Sequence, residues 1–300
     1  MDRDGSRRFC VREPFDAADP APVRDVQLQY DPSWRPSYVL AETVAQDYPA
    51  FLRGEAAGER VLFSPARFTL WFEYFSNDNR LYAVNNGVGA IAVTEWLPRG
   101  DHAVLELGGG LGSGTTALLE RLDAGQRLGE IRQYRFTELV PAFMRRGQRA
   151  LESRFGGASP LTFGQLDMNR AFDDQGIAGG SVSLVYAVNT VHVAHDLDFT
   201  LAQVFRALEP GGRLILSECV RPYAGQPIHV EFIFNLMETF RSPRLHPVHR
   251  PNGGFLTPEE WTAAIEAAGF VDVRFLPDIA RVRESLPEFC VAAIGAVRPA

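Results

Sequence analysis

The sequence predicts an α/β fold, a doubly wound, mostly parallel, seven-stranded sheet with helices on both faces. Three observations predict it: apolar runs alternate with helical segments, a glycine-rich turn follows the first run, and two more runs close the chain. The runs are 103–107, 133–137, 161–166, 182–187 and 213–217, then 271–276 and 288–296. Strands that alternate with helices build parallel sheets, and we expect the first five strands to be buried on both faces.

The segments between these runs carry helix signals. Pro141 suits the first position of a helix. An apolar stripe from Leu197 to Leu208 predicts a helix that stops at Pro210. Thr257 and Glu260 have the spacing of a capping box at the start of the last large helix.

The chain divides into two predicted parts. Residues 1–100 read as an N-terminal arm and a helical cap that contributes to the substrate pocket, and residues 101–300 as the catalytic core. We expect the first 30 residues to form a loose arm or extended strap. A helix over 37–53 is expected to be kinked or divided at Pro49. A second cap helix is expected to pack through its apolar residues, which are Leu81, Val84, Val88, Ile91 and Ala92.

Composition excludes several classes of protein. The 300 residues are 46% hydrophobic, enough for a buried core, and the net charge of −7 comes without any basic run suited to nucleic acid. No stretch is long enough to span a bilayer, and the N-terminus has no apolar signal core. Three scattered cysteines indicate reduced thiols in a cytoplasmic protein. A homodimer is left open.

A glycine-rich turn follows the first strand. Gly108, Gly110 and Gly112 lie between the strand 102–107 and a helix. Glycines there permit a tight turn and close approach of a ligand to the backbone. Nicotinamide enzymes use such a turn as well, but their third glycine is missing here, because Ser113 stands in its place.

Three carboxyl groups stand close to this turn. Glu106 precedes it, Glu138 ends the second strand and Asp167 ends the third. Ligands of open parallel sheets lie at the carboxyl ends of the strands, so the three acids are expected to line one crevice. An adenosyl sulfonium ligand suits such a site. It has ribose hydroxyls, an adenine amino group and a methionyl ammonium for carboxylates to meet, and no phosphate.

Several segments carry a family resemblance, among them VLELGGGLGSGT, YRFTELVPAF, SVSLVYAVNTVHVAHDL and LEPGGRLILSE. With these, the sequence resembles class I S-adenosyl-L-methionine-dependent methyltransferases, and more narrowly the C-methyltransferase domains of polyketide synthases. The resemblance implies the Rossmann-like methyltransferase fold and S-adenosyl-L-methionine as cofactor, with S-adenosyl-L-homocysteine as product. It implies that Glu138 holds the ribose. The other implied cofactor contacts are Glu106, Gly108, Gly110, Gly112, Asp167, Met168 and Asn189.

The resemblance also implies a catalytic pair. His192 follows the fourth strand and Glu218 ends the fifth, at the positions of the subfamily's His–Glu pair. A carbon flanked by carbonyls must lose a proton before it attacks a methyl group. Imidazole, with an ordinary pKa of about 6.5, can take that proton, and a carboxylate offsets the resulting charge. The competing interpretation is that His192 caps the helix near Asp196.

The segment 219–255 is expected to be a substrate lid. It is apolar and unlike the lid of the subfamily, so a free hydrophobic small molecule and a carrier-protein-bound one both stay open as acceptors. His229, Glu231, His246 and His249 lie in it, but a Pro-rich loop favours surface histidines, and we expect no metal site. The alternatives to C-methylation are O- or N-methylation, a nicotinamide-dependent oxidoreductase and an inactive cofactor-binding protein.

Overall fold

The computed structural model describes residues 18–156 and 160–300, together with two short strands near the N-terminus. Those strands, Asp2–Arg3 and Phe9–Cys10, pair antiparallel. Of the arm predicted for the first 30 residues, residues 1, 4–8 and 11–17 lie outside the described residues. Among the described helices, none combines the length and apolarity that crossing a membrane requires.

Seven further strands form one sheet: β1 His102–Leu107, β2 Ile131–Thr137, β3 Leu161–Gly164, β4 Val182–Val188, β5 Leu208–Cys219, β6 Val271–Leu276 and β7 Val291–Val297. Their order in the sheet is β3-β2-β1-β4-β5-β7-β6. Strands β1 to β5 pair in parallel, and β7 runs antiparallel to both β5 and β6. The predicted seven-stranded, mostly parallel sheet is therefore confirmed.

Helices cover both faces of this sheet. They are α1 Ala21–Tyr30, α2 Arg35–Leu52, α3 Gly58–Leu62, α4 Phe68–Tyr74, α5 Arg80–Trp96, α6 Ser113–Ala124, α7 Pro141–Phe155, α8 Leu197–Ala207, α9 Glu231–Phe234, α10 Glu238–Arg241, α11 Pro258–Ala267 and α12 Ile279–Ser285. Two buried clusters lie on opposite sides of the sheet, one shared with α8 and α11 and the other with α5, α6 and α7.

The residues at the N-terminal ends of three helices confirm the predicted helix starts. Pro141 occupies the first position of α7, where a missing N–H costs nothing. Thr257 and Glu260 form a reciprocal capping box at the start of α11. Asp196 caps α8, where its side chain accepts from the Phe199 amide. Helix α8 therefore has its own N-terminal cap and does not use His192.

Two predictions for the N-terminal region are wrong. Residues 21–30 form a helix, not an extended strap, and none of its residues is buried. A helix with no buried face leaves no apolar periodicity in the sequence, so the pattern missed it. Helix α2 is not divided at Pro49 but continues to Leu52. Pro49 lacks the N–H that would donate to the Ala45 carbonyl, but it lies in the last turn, and only three residues of the helix follow it.

The inward face of α5 also differs from the prediction. Leu81 and Val84 are 42% and 40% exposed, while Asn85 and Gly89 are buried. A Cβ on Gly89 would lie 2.8 Å from the Tyr186 hydroxyl, so glycine allows α5 to approach the sheet closely. Ala92 is buried as predicted, so hydrophobic periodicity located part of the inward face. Small and polar residues, Asn85 and Gly89, make another part of it, which the periodicity did not detect.

Two details of the sheet differ as well. Strand β3 lies at an edge beside β2 alone and has no buried residue, so it is not buried on both faces. The strand β5 begins at Leu208, ahead of Pro210. Pro210 is tolerated because that end of the strand is exposed and carries a shifted register against β4.

A third buried cluster joins the N-terminal helices to the segment 219–255. Leu40, Val44 and Trp71 pack in it with Phe234 and Phe240. Residues of the predicted cap and the predicted lid therefore share one hydrophobic core. The division into cap, core and lid stays a prediction.

A buried ion pair supports this segment. Arg221 meets Glu231 through two bonds, Nε–Oε1 at 2.7 Å and Nη2–Oε2 at 2.6 Å. The Arg221→Met variant leaves the Glu231 carboxylate buried and unpaired, and we expect it to lose about 3–5 kcal/mol of unfolding free energy. Urea unfolding measures this. Arg206→Met, which removes an exposed pair with Asp173, is the control and should change the free energy by less than about 1 kcal/mol.

Candidate active site

A cavity of about 270 Å³ opens at the carboxyl ends of β1, β2 and β4. Its wall contains the glycine turn, three strand-end acids and an aromatic side. The lining residues are Phe75, Tyr82, Glu106–Leu111, Ser113, Gly114, Glu138–Val140, Phe143, Leu166–Asn169, Val188–Thr190 and Val193. The sheet topology thus brings Glu106, Glu138 and Asp167 into one crevice, as the strand ends predicted.

The glycine turn has the conformation its sequence predicted. Gly108, Gly110 and Gly112 have φ of +60°, +59° and +81°, in the left-handed region that favours glycine. A Cβ on Gly108 would also lie 2.3 Å from the Thr190 Cγ2 atom. Gly108 and Gly110 line the cavity, whereas Gly112 caps α6 and faces Leu151, behind the wall.

Glu106 is the deepest of the three acids, with 1% of the residue exposed. Its Oε2 accepts from the Thr115 hydroxyl at 2.6 Å and from the Tyr134 hydroxyl at 2.9 Å. Burial raises the pKa of Glu106 to about 7, although these two hydrogen bonds oppose the shift. The carboxyl group is therefore poised to ionise when a cation arrives.

Glu138 is held by the backbone on both sides of its carboxylate. Oε2 accepts from the Gly110 amide at 2.9 Å, and Oε1 accepts from the Val140 amide at 2.8 Å. Burial raises its pKa, and the backbone amides oppose that shift. The carboxylate is fixed at the cavity wall, and its remaining lone pairs are available to a ligand's hydroxyls.

Asp167 and Met168 line the part of the cavity after β3. The Oδ1 atom of Asp167 accepts from the Asn169 amide at 2.9 Å, which orients the carboxylate. Asn189, at φ +50°, also lines the cavity and donates its backbone N–H to the Ser217 carbonyl at 2.6 Å. Among the described residues, the wall contains no Lys or Arg. A wall with three carboxyl groups and no basic side chain fits an adenosyl sulfonium ligand and is unsuited to a phosphate.

His192 and Glu218 are in contact. The Nδ1 atom of His192 lies 2.7 Å from Oε2 of Glu218. The other carboxylate oxygen accepts from the Thr190 amide at 3.1 Å and the Val191 amide at 2.8 Å, so Glu218 is fixed in place. With Nδ1 bonded to Glu218, the nitrogen left for a reactant is Nε2.

The pair lies directly behind the cavity wall. His192 is 3% exposed and Glu218 is fully buried, and neither lines the cavity itself. Thr190 and Val193, on either side of His192 in the chain, do line it. Phe255, at the end of the segment 219–255, packs against the imidazole, with ring centroids 4.4 Å apart.

Several wall residues were not predicted from the sequence. Phe75, Tyr82 and Phe143 form the aromatic side of the cavity, and Thr190 lies on the wall beside Gly108. Phe75 and Tyr82 belong to an aromatic-rich stretch, 63–82, which is typical of plain core packing and does not by itself indicate a pocket.

The histidines and Glu231 of the predicted lid, which are residue types that can bind a metal, do not form one cluster. Glu231 pairs with Arg221, whereas His246 and His249 lie beside Asp198. The Nδ1 atom of His246 accepts from two backbone amides, and Arg244 and Arg250 line the same small cavity. Two guanidinium groups oppose a bound cation there. The absence of a metal stays a prediction.

Comparisons with known proteins agree with this geometry. Residues 105–214 match the family model described as a methyltransferase domain. The chain is 27% identical over 245 residues to polyketide synthase PksM of Bacillus subtilis (strain 168), covering 79% of this chain but only 6% of that protein.

Solved structures of methyltransferases share the fold. The CurJ carbon methyltransferase superposes with a TM-score of 0.76 at 24% identity, over 95% of this chain and 72% of that one. The trans-methyltransferase CalH, solved in complex with SAH, gives 0.66 at 21% identity, over 92% and 71%. These structures confirm the predicted fold, and the match of residues 105–214 to a methyltransferase domain confirms the predicted enzyme class.

Proposed function

Because this chain carries a methyltransferase domain in the fold of the class I S-adenosylmethionine-dependent enzymes, we propose that it methylates a carbon atom of a polyketide-like acceptor. The observation that carries the proposal is the 2.7 Å contact between His192 and Glu218, directly behind a carboxylate-lined cavity. A general base is needed to take a proton from carbon, and the pair supplies one.

The cavity residues account for a cofactor with no phosphate. Glu138, fixed by two backbone amides, would accept the ribose hydroxyls, and Asp167 with Met168 would frame the adenine. Glu106, buried beneath the turn, would face the methionyl ammonium. When bound, S-adenosylmethionine supplies the methyl group as an electrophile on its sulfonium.

His192 would act as the base through Nε2. The proton leaves the acceptor carbon for Nε2, and the electron pair of the C–H bond stays on the carbon, delocalised into the flanking carbonyls. The imidazole then carries a positive charge, which the Glu218 carboxylate offsets at 2.7 Å. Two backbone amides hold Glu218 so that it need not move during this step.

The aromatic side of the cavity suits an apolar acceptor. Phe75, Phe143 and Val193 add carbon surface to the cavity wall, and Tyr82 adds one hydroxyl. An acyl chain with neighbouring carbonyls matches this surface and can give up the proton that His192 would take. The match to a polyketide synthase supports a carrier-bound form of it.

A product analysis tests the proposal. The protein is incubated with methyl-¹³C-labelled S-adenosylmethionine and a β-ketoacyl thioester, supplied both free and on a carrier protein. NMR of the product then locates the label. A label on the carbon between the carbonyls supports the proposal, whereas a label on oxygen or nitrogen makes the chain a heteroatom methyltransferase. Binding of S-adenosylhomocysteine with no turnover of either thioester would indicate an inactive cofactor-binding protein.

The pKa of Glu106 predicts a pH-dependent cofactor affinity. A protonated Glu106 cannot pair with an ammonium, and its pKa is about 7. The bound ammonium favours the ionised form, so affinity rises with pH until Glu106 is fully ionised. We expect S-adenosylhomocysteine to bind about tenfold more weakly at pH 6 than at pH 8. Titration calorimetry measures it.

Glu106→Gln is the matched variant for this measurement. The amide keeps the shape of the side chain but cannot ionise, so affinity should be low at pH 8 and flat between the two pH values. A wild-type affinity that does not change over this range would show that Glu106 does not pair with the ammonium.

A further inference from the structure

One residue of the predicted lid contacts the backbone of the proposed base. Arg250 is 1% exposed, and its Nη2 donates to the His192 carbonyl oxygen at 2.5 Å. We propose that Arg250 is a positioning residue that holds the turn carrying His192 in place. The inference rests on the proposed function, because it concerns the same base.

The backbone around Arg250 is fixed independently of its side chain. The His246 amide donates to the Arg250 carbonyl at 2.9 Å, and the Arg250 amide donates to the His246 carbonyl at 3.1 Å. This closed turn sits on the helix α8 through the His249–Asp198 contact of 2.6 Å. The guanidinium is thus delivered to the 3₁₀ turn Val191–Val193 by a rigid loop.

Burying the Arg250 guanidinium costs desolvation free energy, which hydrogen bonds and opposite charges must offset. Within the described residues, Nε and Nη1 of Arg250 have no hydrogen-bond partner. Burial lowers the pKa of Arg250 to about 10, and Glu218 and Glu260 favour its charged form. A simple structural contact would be met as well by a neutral donor, without the cost of desolvating a cation.

The bond from Arg250 acts on the backbone of the proposed base. Nη2 donates to the His192 carbonyl within the 3₁₀ turn Val191–Val193, while Glu218 contacts the imidazole at Nδ1. Loss of the Arg250 bond would therefore displace the turn that carries the ring without removing the partner of the ring.

Steady-state kinetics on three variants test the inference. Arg250→Met removes the cation and the hydrogen bond, and Arg250→Lys keeps a cation on a side chain without the planar fork. Arg244→Met removes an exposed arginine of the same loop that pairs with Asp196 and does not contact His192. S-adenosylhomocysteine affinity and melting temperature report whether each variant is folded.

For Arg250→Met, we expect kcat to fall about tenfold or more with KM for the acceptor within twofold, because only the base is displaced. Arg250→Lys keeps a donor for the carbonyl and should recover part of the loss, with kcat about three- to fivefold low. Arg244→Met should match the wild type in both kcat and KM.

Other outcomes of these measurements would contradict the inference. A folded Arg250→Met with wild-type kcat overturns the inference. If Arg250→Met does not fold, Arg250→Lys decides: wild-type kcat overturns the inference, and a reduced kcat with unchanged KM supports it. An equal fall of kcat in Arg244→Met would show an effect of long-range charge and overturn the positioning role. Absence of carbon methylation by the wild type would instead refute the proposed function.

Discussion

His192→Ala is expected to lose about 10²- to 10⁴-fold in kcat, because it removes the general base of the proposed mechanism. Glu218→Gln keeps the shape of the carboxylate but not its charge. It should cost less, about tenfold or more, since the imidazolium then lacks its counter-charge at 2.7 Å. Single-turnover rates with labelled cofactor measure both.

The double variant and the cofactor affinity are the controls for this result. Two residues that act as one unit are not additive, so His192→Ala with Glu218→Gln should be about as slow as His192→Ala alone. Neither side chain lines the cavity, so S-adenosylhomocysteine affinity should stay within about twofold of the wild type. Full turnover by His192→Ala would rule out the proposed base.

Glu138→Ala is expected to bind S-adenosylhomocysteine about 100-fold more weakly than the wild type. Hydrogen bonds to a charged group contribute about 1.5–3 kcal/mol each, and the proposed ribose contacts would lose at least one of them. The Gly110 amide also loses its acceptor, which loosens the turn beneath the cofactor. Titration calorimetry gives the affinity directly.

A second acid nearby provides the matched control. Glu152 on α7 is exposed and accepts only from the Gln148 amide group among its described side-chain partners. Glu152→Ala removes the same charge outside the cavity and should leave the affinity unchanged. If Glu138→Ala binds the cofactor product as tightly as the wild type, Glu138 does not hold the ribose.

Local signals in the sequence predicted the regular elements well. The order of strands and helices, the Thr257 capping box and the glycine turn depend on neighbouring residues, and the structure has them where the sequence placed them. The signals failed where burial did not follow hydrophobicity. Helix α1 has no buried residue, and α5 approaches the sheet through Asn85 and Gly89. Periodicity detects only apolar faces.

The sequence by itself determined the sheet, the acids at its strand ends and, through a family resemblance, the two members of the His–Glu pair. Strand ends of a parallel sheet meet by topology, so Glu106, Glu138 and Asp167 needed no further information. Only the tertiary structure decided that His192 lies behind the cavity wall and that Arg250 reaches its carbonyl. Those contacts join residues 58 positions apart, and they depend on how the lid packs, which no local pattern encodes.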